Sequence, residues 1–396
     1  EFVKIRAIEM TIFSTGGRVS ALFASSFVTL GIQLPFFPVL LAHRGLSETE
    51  IAIVVAIPMM LRVTTASALG AFADRVGDRR RVLTIYAGLA LLGCLALGPA
   101  QGFWPLAAAT AAMALFWNGM LPVTDALATS VARRGEGVYG RMRLWGSIAF
   151  VVGNLLAGAL VGAQGGSIVY PLLLSGFVLQ LAFTPLAPPE PATTVRRAER
   201  PSMWAGMAEV LRDRRLMVIL GGVALVQSSH AMLYGFASLY WTSIGFSGGE
   251  IGALWAVSVV GEVLLFAAAE RAIGRIGARG LLIVGGLGAV VRWCLFPVLG
   301  GSGIAWTVLQ LTHAASFAAT HLGTMHVITH AVGDGRAATA QGLMVTLSGL
   351  GMALATLASG RLYAAYGGAG FLGMAVVAGL GTLVLVAVLG FRDERG

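Results

Sequence analysis

The sequence predicts an all-α membrane protein of twelve transmembrane helices, arranged as two pseudo-symmetric six-helix halves. Three observations carry this. Of 396 residues, 57% are hydrophobic and only 11% are charged, with a mean hydropathy of +0.83, whereas a soluble domain carries about a quarter charged residues. Twelve apolar segments follow one another, each near the roughly 20 residues that a bilayer-spanning helix needs. A pattern of turn and cap residues also recurs after 200 positions. The short alternating strands of a membrane β-barrel are absent from the sequence.

The segments run at 20–43, 48–72, 82–100, 103–131, 140–163, 167–187, 216–243, 248–270, 279–299, 303–331, 337–362 and 369–391. Each reads as a helix, because a backbone facing lipid must satisfy its own hydrogen bonds. Residues 1–19 precede the first as a cytoplasmic segment, too polar for the core of a signal peptide, and Met10 is a candidate native start. The second segment opens at Gly45-Leu46-Ser47-Glu48-Thr49-Glu50-Ile51, where Ser47 caps the helix and Glu50 reaches back to it. Basic residues Arg79, Arg80 and Arg81 lead into the third. The fourth carries Asp125 in its later half. The fifth opens with Arg141 and Arg143 and carries Gly153, Gly158 and Gly162, which suit close helix contact.

After the sixth segment, residues 188–215 are rich in proline and charge and read as a cytoplasmic linker. It separates an N-terminal half (20–187) from a C-terminal half (216–391), leaving 392–396 as a cytoplasmic tail. The seventh segment holds His230. The eighth opens with a second capping box, Gly245-Phe246-Ser247-Gly248-Gly249-Glu250-Ile251, and holds Glu262. The ninth holds Arg292, and the tenth His313, His321, His326 and His330. The same 200-residue offset pairs Arg75, Gly77 and Arg79 with Arg275, Gly277 and Arg279. Because the offset spans an even number of helices, the halves are parallel repeats about an axis along the membrane normal, the arrangement of alternating-access transporters.

Charge placement predicts the orientation. Of 27 basic residues, 23 fall on the side of the N-terminus, from Lys4, Arg6 and Arg18 through the clusters at 75–81, 133–143, 196–215 and 271–279 to Arg336, Arg392 and Arg395. Arg44 and Arg361 fall opposite, and Arg62 and Arg292 lie inside segments. The positive-inside rule then places both termini in the cytoplasm of a bacterial inner membrane. The net charge of +9 is spread over short loops, which suits contact with anionic lipid and excludes a nucleic-acid-binding domain. Cys94 and Cys294 lie in separate apolar segments and indicate neither a disulfide framework nor a metal site. A monomer without cofactor or metal is expected. No nucleophile–base pair or metalloprotease motif suggests an enzyme.

The loop after the second segment reads Gly70-Ala71-Phe72-Ala73-Asp74-Arg75-Val76-Gly77-Asp78-Arg79-Arg80-Arg81. It resembles the signature loop of the major facilitator superfamily. Gly70 and Gly77 permit close contact and a turn, and Asp74 can bond a neighbouring helix terminus or arginine. Within that superfamily the closer likeness is to 3-phenylpropionate transporters and, more distantly, lactose permease. It rests on Leu121–Ala128, Tyr139–Ser147, His230–Phe236, Gly261–Val263, Val291–Trp293 and His321–Met325. The resemblance implies the major facilitator fold and proton-driven uptake of a small organic substrate through a central cavity.

An ionisable side chain at the bilayer centre costs about 2.5–3.5 kcal/mol on insertion scales, so each needs a partner or a task. Away from the segment ends the acids are Asp125 and Glu262, and the bases are Arg62 and Arg292, with Arg141 and Arg143 at the inner end of the fifth. By resemblance to lactose permease, Asp125 and Arg143 form a binding charge pair with an aromatic beside it, here Trp145. The alternative is an ion pair that merely pins the hairpin. By the same resemblance Glu262, Arg292 and His321 form a coupling network; the alternative is a permanent structural Glu262–Arg292 bridge. A buried glutamate can exchange a proton near neutral pH, and Asp125 is the other candidate carrier. The helix-ten glutamate of lactose permease has no counterpart, since Thr324 stands there.

Arg62 occupies the repeat position of Glu262. The two charges either meet near the pseudo-axis, or Arg62 joins Arg292 in gripping a substrate carboxylate, the reading favoured here. His230, Tyr234 and Trp293 are candidate cavity residues. His326 and His330 share a face but lack further ligands for a metal. The function expected is proton-coupled uptake of an arylpropionate-like acid, the alternatives being a sugar or oligosaccharide symporter, or an exporter of small organic molecules.

Overall fold

A computed structural model describes residues 14–189, 210–331 and 334–390. The segment before residue 14, most of the linker and the tail beyond residue 390 lie outside the described residues, as do the basic side chains they carry. The first group of helices is α1 (Thr15–His43), α2 (Glu48–Val76), α3 (Arg79–Leu97), α4 (Phe103–Arg133), α5 (Tyr139–Gln164) and α6 (Val169–Phe183). The second is α7 (Arg214–Ser228), α8 (Ala231–Ser243), α9 (Gly248–Ala267), α10 (Ala269–Leu295), α11 (Gly303–Leu311), α12 (Thr320–Ala331), α13 (Asp334–Tyr366) and α14 (Phe371–Gly390). Among the described residues ten helical stretches are long and apolar enough to cross a bilayer. One of them, Thr339–Gly390, turns at Gly367–Gly370 and holds two spans. The interrupted stretch at 303–331 completes twelve.

The helix starts follow the capping chemistry. Ser47 accepts from the Glu50 N–H while the Glu50 carboxylate accepts from the Ser47 N–H at 2.9 Å; Ser247 and Glu250 repeat both bonds, the second at 2.8 Å. Gly45 and Gly245 precede them at φ +80° and +97°, a left-handed conformation that glycine adopts without a Cβ penalty. The offset extends to Gly77 and Gly277, at φ +69° and +64°.

The ninth span differs from expectation. Helix begins ten residues early, at Ala269, and Gly277 breaks it, so the basic stretch 271–276 is helical and not an open loop. The seventh and tenth spans are also discontinuous. Ser229 and His230 interrupt α7 and α8, and a π-helical turn, Ala314–Ala319, separates α11 from α12.

The two groups meet along α5 with α9 and α2 with α13. At the end bearing the turns near residues 45 and 245 they close tightly. A Cβ added to Gly252 would stand 2.5 Å from the Asn154 carbonyl oxygen, and one on Gly360 would stand 2.9 Å from that of Glu48. Towards the end bearing Gly77 they diverge: Gly70 on α2 and Gly342 on α13 have nothing within 4 Å of an added Cβ. A buried aromatic cluster consolidates the closed end of the second group, with the Phe296 ring 3.9 Å from Phe371 and 4.6 Å from Trp306.

Candidate substrate cavity and charge cluster

Between the groups lies a cavity of about 380 Å³, lined by Gln33 of α1, Pro58 and Arg62 of α2, Trp117 and Asn118 of α4, Tyr234 of α8, Phe317 of the π turn and Met352 of α13. A second lobe of about 260 Å³ shares Leu30, Arg62, Trp117 and Asn118 and extends to Ser26 and Asp125. Arg62 is the charged residue common to both lobes. The local sequence sets its place. Pro58, one turn earlier, lacks an N–H and weakens the helix ladder, and its carbonyl accepts from Asn118 Nδ2 at 2.8 Å, tying α2 to α4 beside the guanidinium. Arg62 is exposed to the cavity and has no side-chain hydrogen bond or ion pair among the described residues. Its five N–H donors are therefore without an acceptor among the described residues.

A second constellation lies within the C-terminal group. Arg292 is fully buried, and its Nη atoms donate to His313 Nδ1 and Gln310 Oε1. Gln310 Nε2 in turn donates to the Leu254 carbonyl at 3.3 Å. An arginine can only donate, so His313 Nδ1 is an acceptor and the proton of the neutral ring is assigned to Nε2. That nitrogen sits 3.1 Å from Glu262 Oε1. His230 is oriented by the same logic: its Nδ1 faces the carbonyls of Val226 and Gln227 at 3.3 and 3.2 Å and must donate, leaving Nε2 to accept from Ser316 Oγ at 3.1 Å. Trp293 packs edge-on against His230, 5.1 Å between centroids, and donates from Nε1 to Ser229 Oγ at 2.9 Å.

The two chain breaks supply these contacts. Ser229 and His230 belong to one and His313 and Ser316 to the other, so the two discontinuities meet through the His230–Ser316 bond, beside Arg292. Broken spans near mid-membrane are where transporters place polar chemistry, and π turns recur at functional sites. Tyr234 links the two regions: it lines the cavity, stacks on Trp255 at 6.1 Å, and lies within electrostatic reach of Arg62, Glu262 and Arg292.

Several expectations are corrected by this placement. His313, rather than His321, hydrogen-bonds Glu262; the half-buried His321 ring meets Phe266 edge-on at 6.2 Å and lies within electrostatic reach of Glu262. Glu262 and Arg292 form no direct bridge but connect through His313. Arg292 and Trp293 are sealed in protein outside the cavity lining, so Arg292 does not share a site with Arg62 here. No ion pair joins Arg62 to Glu262, or Asp125 to Arg143, among the described residues. Asp125 instead accepts from Tyr139 Oη at 3.0 Å, and the Arg143 guanidinium lies over the Phe27 ring at 4.0 Å.

Trp145 is 47% exposed and points away from Arg143, because two positions along a helix turn the side chain by about 200°. Asp74 and Arg75 are exposed, and Asp74 bonds no helix terminus or arginine among the described residues. The loop itself folds as expected, with Gly77 terminating α2 and Asp78 capping α3 ahead of Arg79. Thr324 is buried and donates to the Thr320 carbonyl. His326 and His330 do share a face, their rings 4.0 Å apart.

A family model described as MFS_1_like, the MFS_1 like family, matches residues 18–372. The chain is 32% identical to a "Probable 3-phenylpropionic acid transporter" of Escherichia coli (strain K12), over 89% of this chain and 92% of that one. It is 24% identical to a maltose permease of Geobacillus stearothermophilus over 68% of each chain. Among solved structures it superposes on the nucleoside transporter NupG with a TM-score of 0.82 at 14% identity, covering 96% of this chain and 99% of that one.

Proposed function

This chain belongs to the MFS_1 like family of the major facilitator superfamily and is a multi-pass membrane transporter, not an enzyme; from that premise we propose that it takes up a small aryl carboxylate together with a proton. The observation that carries the reading is the unpaired guanidinium of Arg62 in a cavity walled by Trp117, Tyr234 and Phe317. An arginine with free donors matches a carboxylate bidentately, and the aromatic walls suit a planar apolar body. The name of one relative, "Probable 3-phenylpropionic acid transporter", points to the same class of substrate.

In this reading Glu262 is the proton carrier. When it is ionised, His313 Nε2–H donates to it. When Glu262 takes a proton that charge-assisted bond is lost and the hold on His313, and through it on Arg292, loosens. The discontinuous spans are then free to repack, and the two helix groups rock so that the cavity faces the other side. The positive-inside distribution would make the splayed end cytoplasmic, so the arrangement is the inward-open one of an alternating-access cycle with both termini inside.

The test is transport by purified protein in liposomes. Arg62→Gln should abolish competition by phenylpropionate while leaving the protein folded. Glu262→Gln should retain substrate exchange and lose accumulation driven by an inward proton gradient. Full accumulation by Glu262→Gln removes that residue from coupling, and undiminished binding by Arg62→Gln removes the carboxylate site. A second reading, sugar uptake, draws on Asp125, Asn118 and Ser26, which make the second lobe polar. Inhibition of counterflow by sugars and not by aryl acids would select it.

A further inference from the structure

Where α5 and α9 diverge, their outer faces leave a largely apolar groove of about 260 Å³, lined by Leu144, Ser147, Ile148 and Val152 on one side and by Val260, Val263 and Leu264 on the other. Its upper end is closed by the glycine contact of the same two helices, where a Cβ on Gly158 would stand 2.5 Å from the Gly248 carbonyl oxygen. The groove is therefore the lipid-facing mouth of the joint between the two groups. It exists because they are splayed at that end.

Arg141 stands two turns before Ile148. At 100° per residue, positions 141, 144, 148 and 152 fall on one stripe of α5, so a cation marks the foot of the apolar face, about 10 Å along the helix from Ile148. Arg141 is exposed and has no side-chain hydrogen bond or ion pair among the described residues. Trp145 borders the same stripe and is 47% exposed, which suits the headgroup level of a bilayer, where tryptophan collects. A long apolar slot with a free guanidinium at its polar end is complementary to a phospholipid: acyl chain above, anionic headgroup below.

We propose that one anionic phospholipid seats an acyl chain between α5 and α9 with its phosphate on Arg141, and that this wedge favours the splayed state of the transporter. Closing the joint would expel the chain, so the lipid binds one state more tightly than the other and shifts the equilibrium towards it. The proposal involves neither Arg62 nor Glu262 and is independent of which substrate is carried.

The experiment uses the full chain in nanodiscs of phosphatidylcholine alone or mixed with phosphatidylglycerol. Native mass spectrometry after partial delipidation counts retained phosphatidylglycerol. Maleimide labelling of Gly342→Cys, at the splayed end of α13, in a Cys294→Ser background, reports opening at that end. Phosphatidylglycerol should be retained and should speed labelling. Arg141→Gln should weaken retention about fivefold, one arginine's contribution at an anionic surface, while Arg141→Lys should largely preserve it. Val260→Trp, which fills the groove, should abolish retention with Arg141 intact. Equal retention by Arg141→Gln and the parent, or labelling indifferent to phosphatidylglycerol in the parent, overturns the proposal.

Discussion

At the residue scale, the chemistry rests on which nitrogen of His313 carries the proton. Arg292 imposes that choice, because a guanidinium beside Nδ1 leaves only Nε2 to face Glu262. His313→Gln offers an amide in place of the ring: it can accept from Arg292 and donate towards Glu262, but it lacks the fixed ring geometry through which loss of the Glu262 charge reaches Arg292. The expected outcome is a folded protein, destabilised by about 1 kcal/mol, with substrate exchange intact and proton-driven accumulation lost; parallel exchange and accumulation assays check it. Gln310→Leu makes the contrast. It leaves one Arg292 Nη without its acceptor, which costs about 1–3 kcal/mol in a buried setting, so thermal stability should fall while folded molecules keep their coupling. Much of this cluster was legible in the sequence, since Glu262, Arg292 and His230 stand out as polar residues in apolar segments. Trp145 was misplaced because neighbours along a helix point in different directions. Phe317 and Met352 were invisible as cavity residues, being apolar residues in apolar spans.

At the element scale, the π turn explains why His313 was passed over. Reading the tenth segment with a constant period of 3.6 residues puts His313 and His321 on one face and so favours the histidine within the recognisable motif. The wider turn at Ala314–Ala319 shifts the phase, sending His313 towards Arg292 and His321 towards Phe266. Periodicity cannot register such a turn. The sequence signal that could have found the site is the Gln310, His313 and Ser316 spacing, three polar residues at steps of three. Deleting Ala315 should restore a regular helix and rotate α11 relative to α12 by about 100°, separating His313 from Glu262. Such a variant should still elute as a monodisperse protein and bind substrate, yet show no response to an imposed pH gradient. Retained coupling would mean that the π turn has no part in it.

At the scale of the whole molecule, twelve spans, both capping boxes and the 200-residue repeat were readable because each depends on local composition and turn chemistry. Which end stands open was not, since the two states of a rocking transporter share one set of local preferences. The closed end supplies the decisive test. A Cβ on Gly360 would lie 3.1 Å from Thr49 Cα, close enough for the Cβ–Cβ separation of about 3.5–4.5 Å that a disulfide requires. Thr49→Cys with Gly360→Cys, in a Cys294→Ser background with Cys94 left buried, should therefore cross-link α2 to α13 under mild oxidation. If the halves must part at this end, the oxidised protein will not transport, and reduction will restore it. Substrate should still raise the melting temperature of the oxidised form, because the cavity remains reachable from the splayed end. Transport at the parental rate by fully cross-linked protein would mean that the closed end never opens, and that substrate passes by some route other than alternating access between these two helix groups.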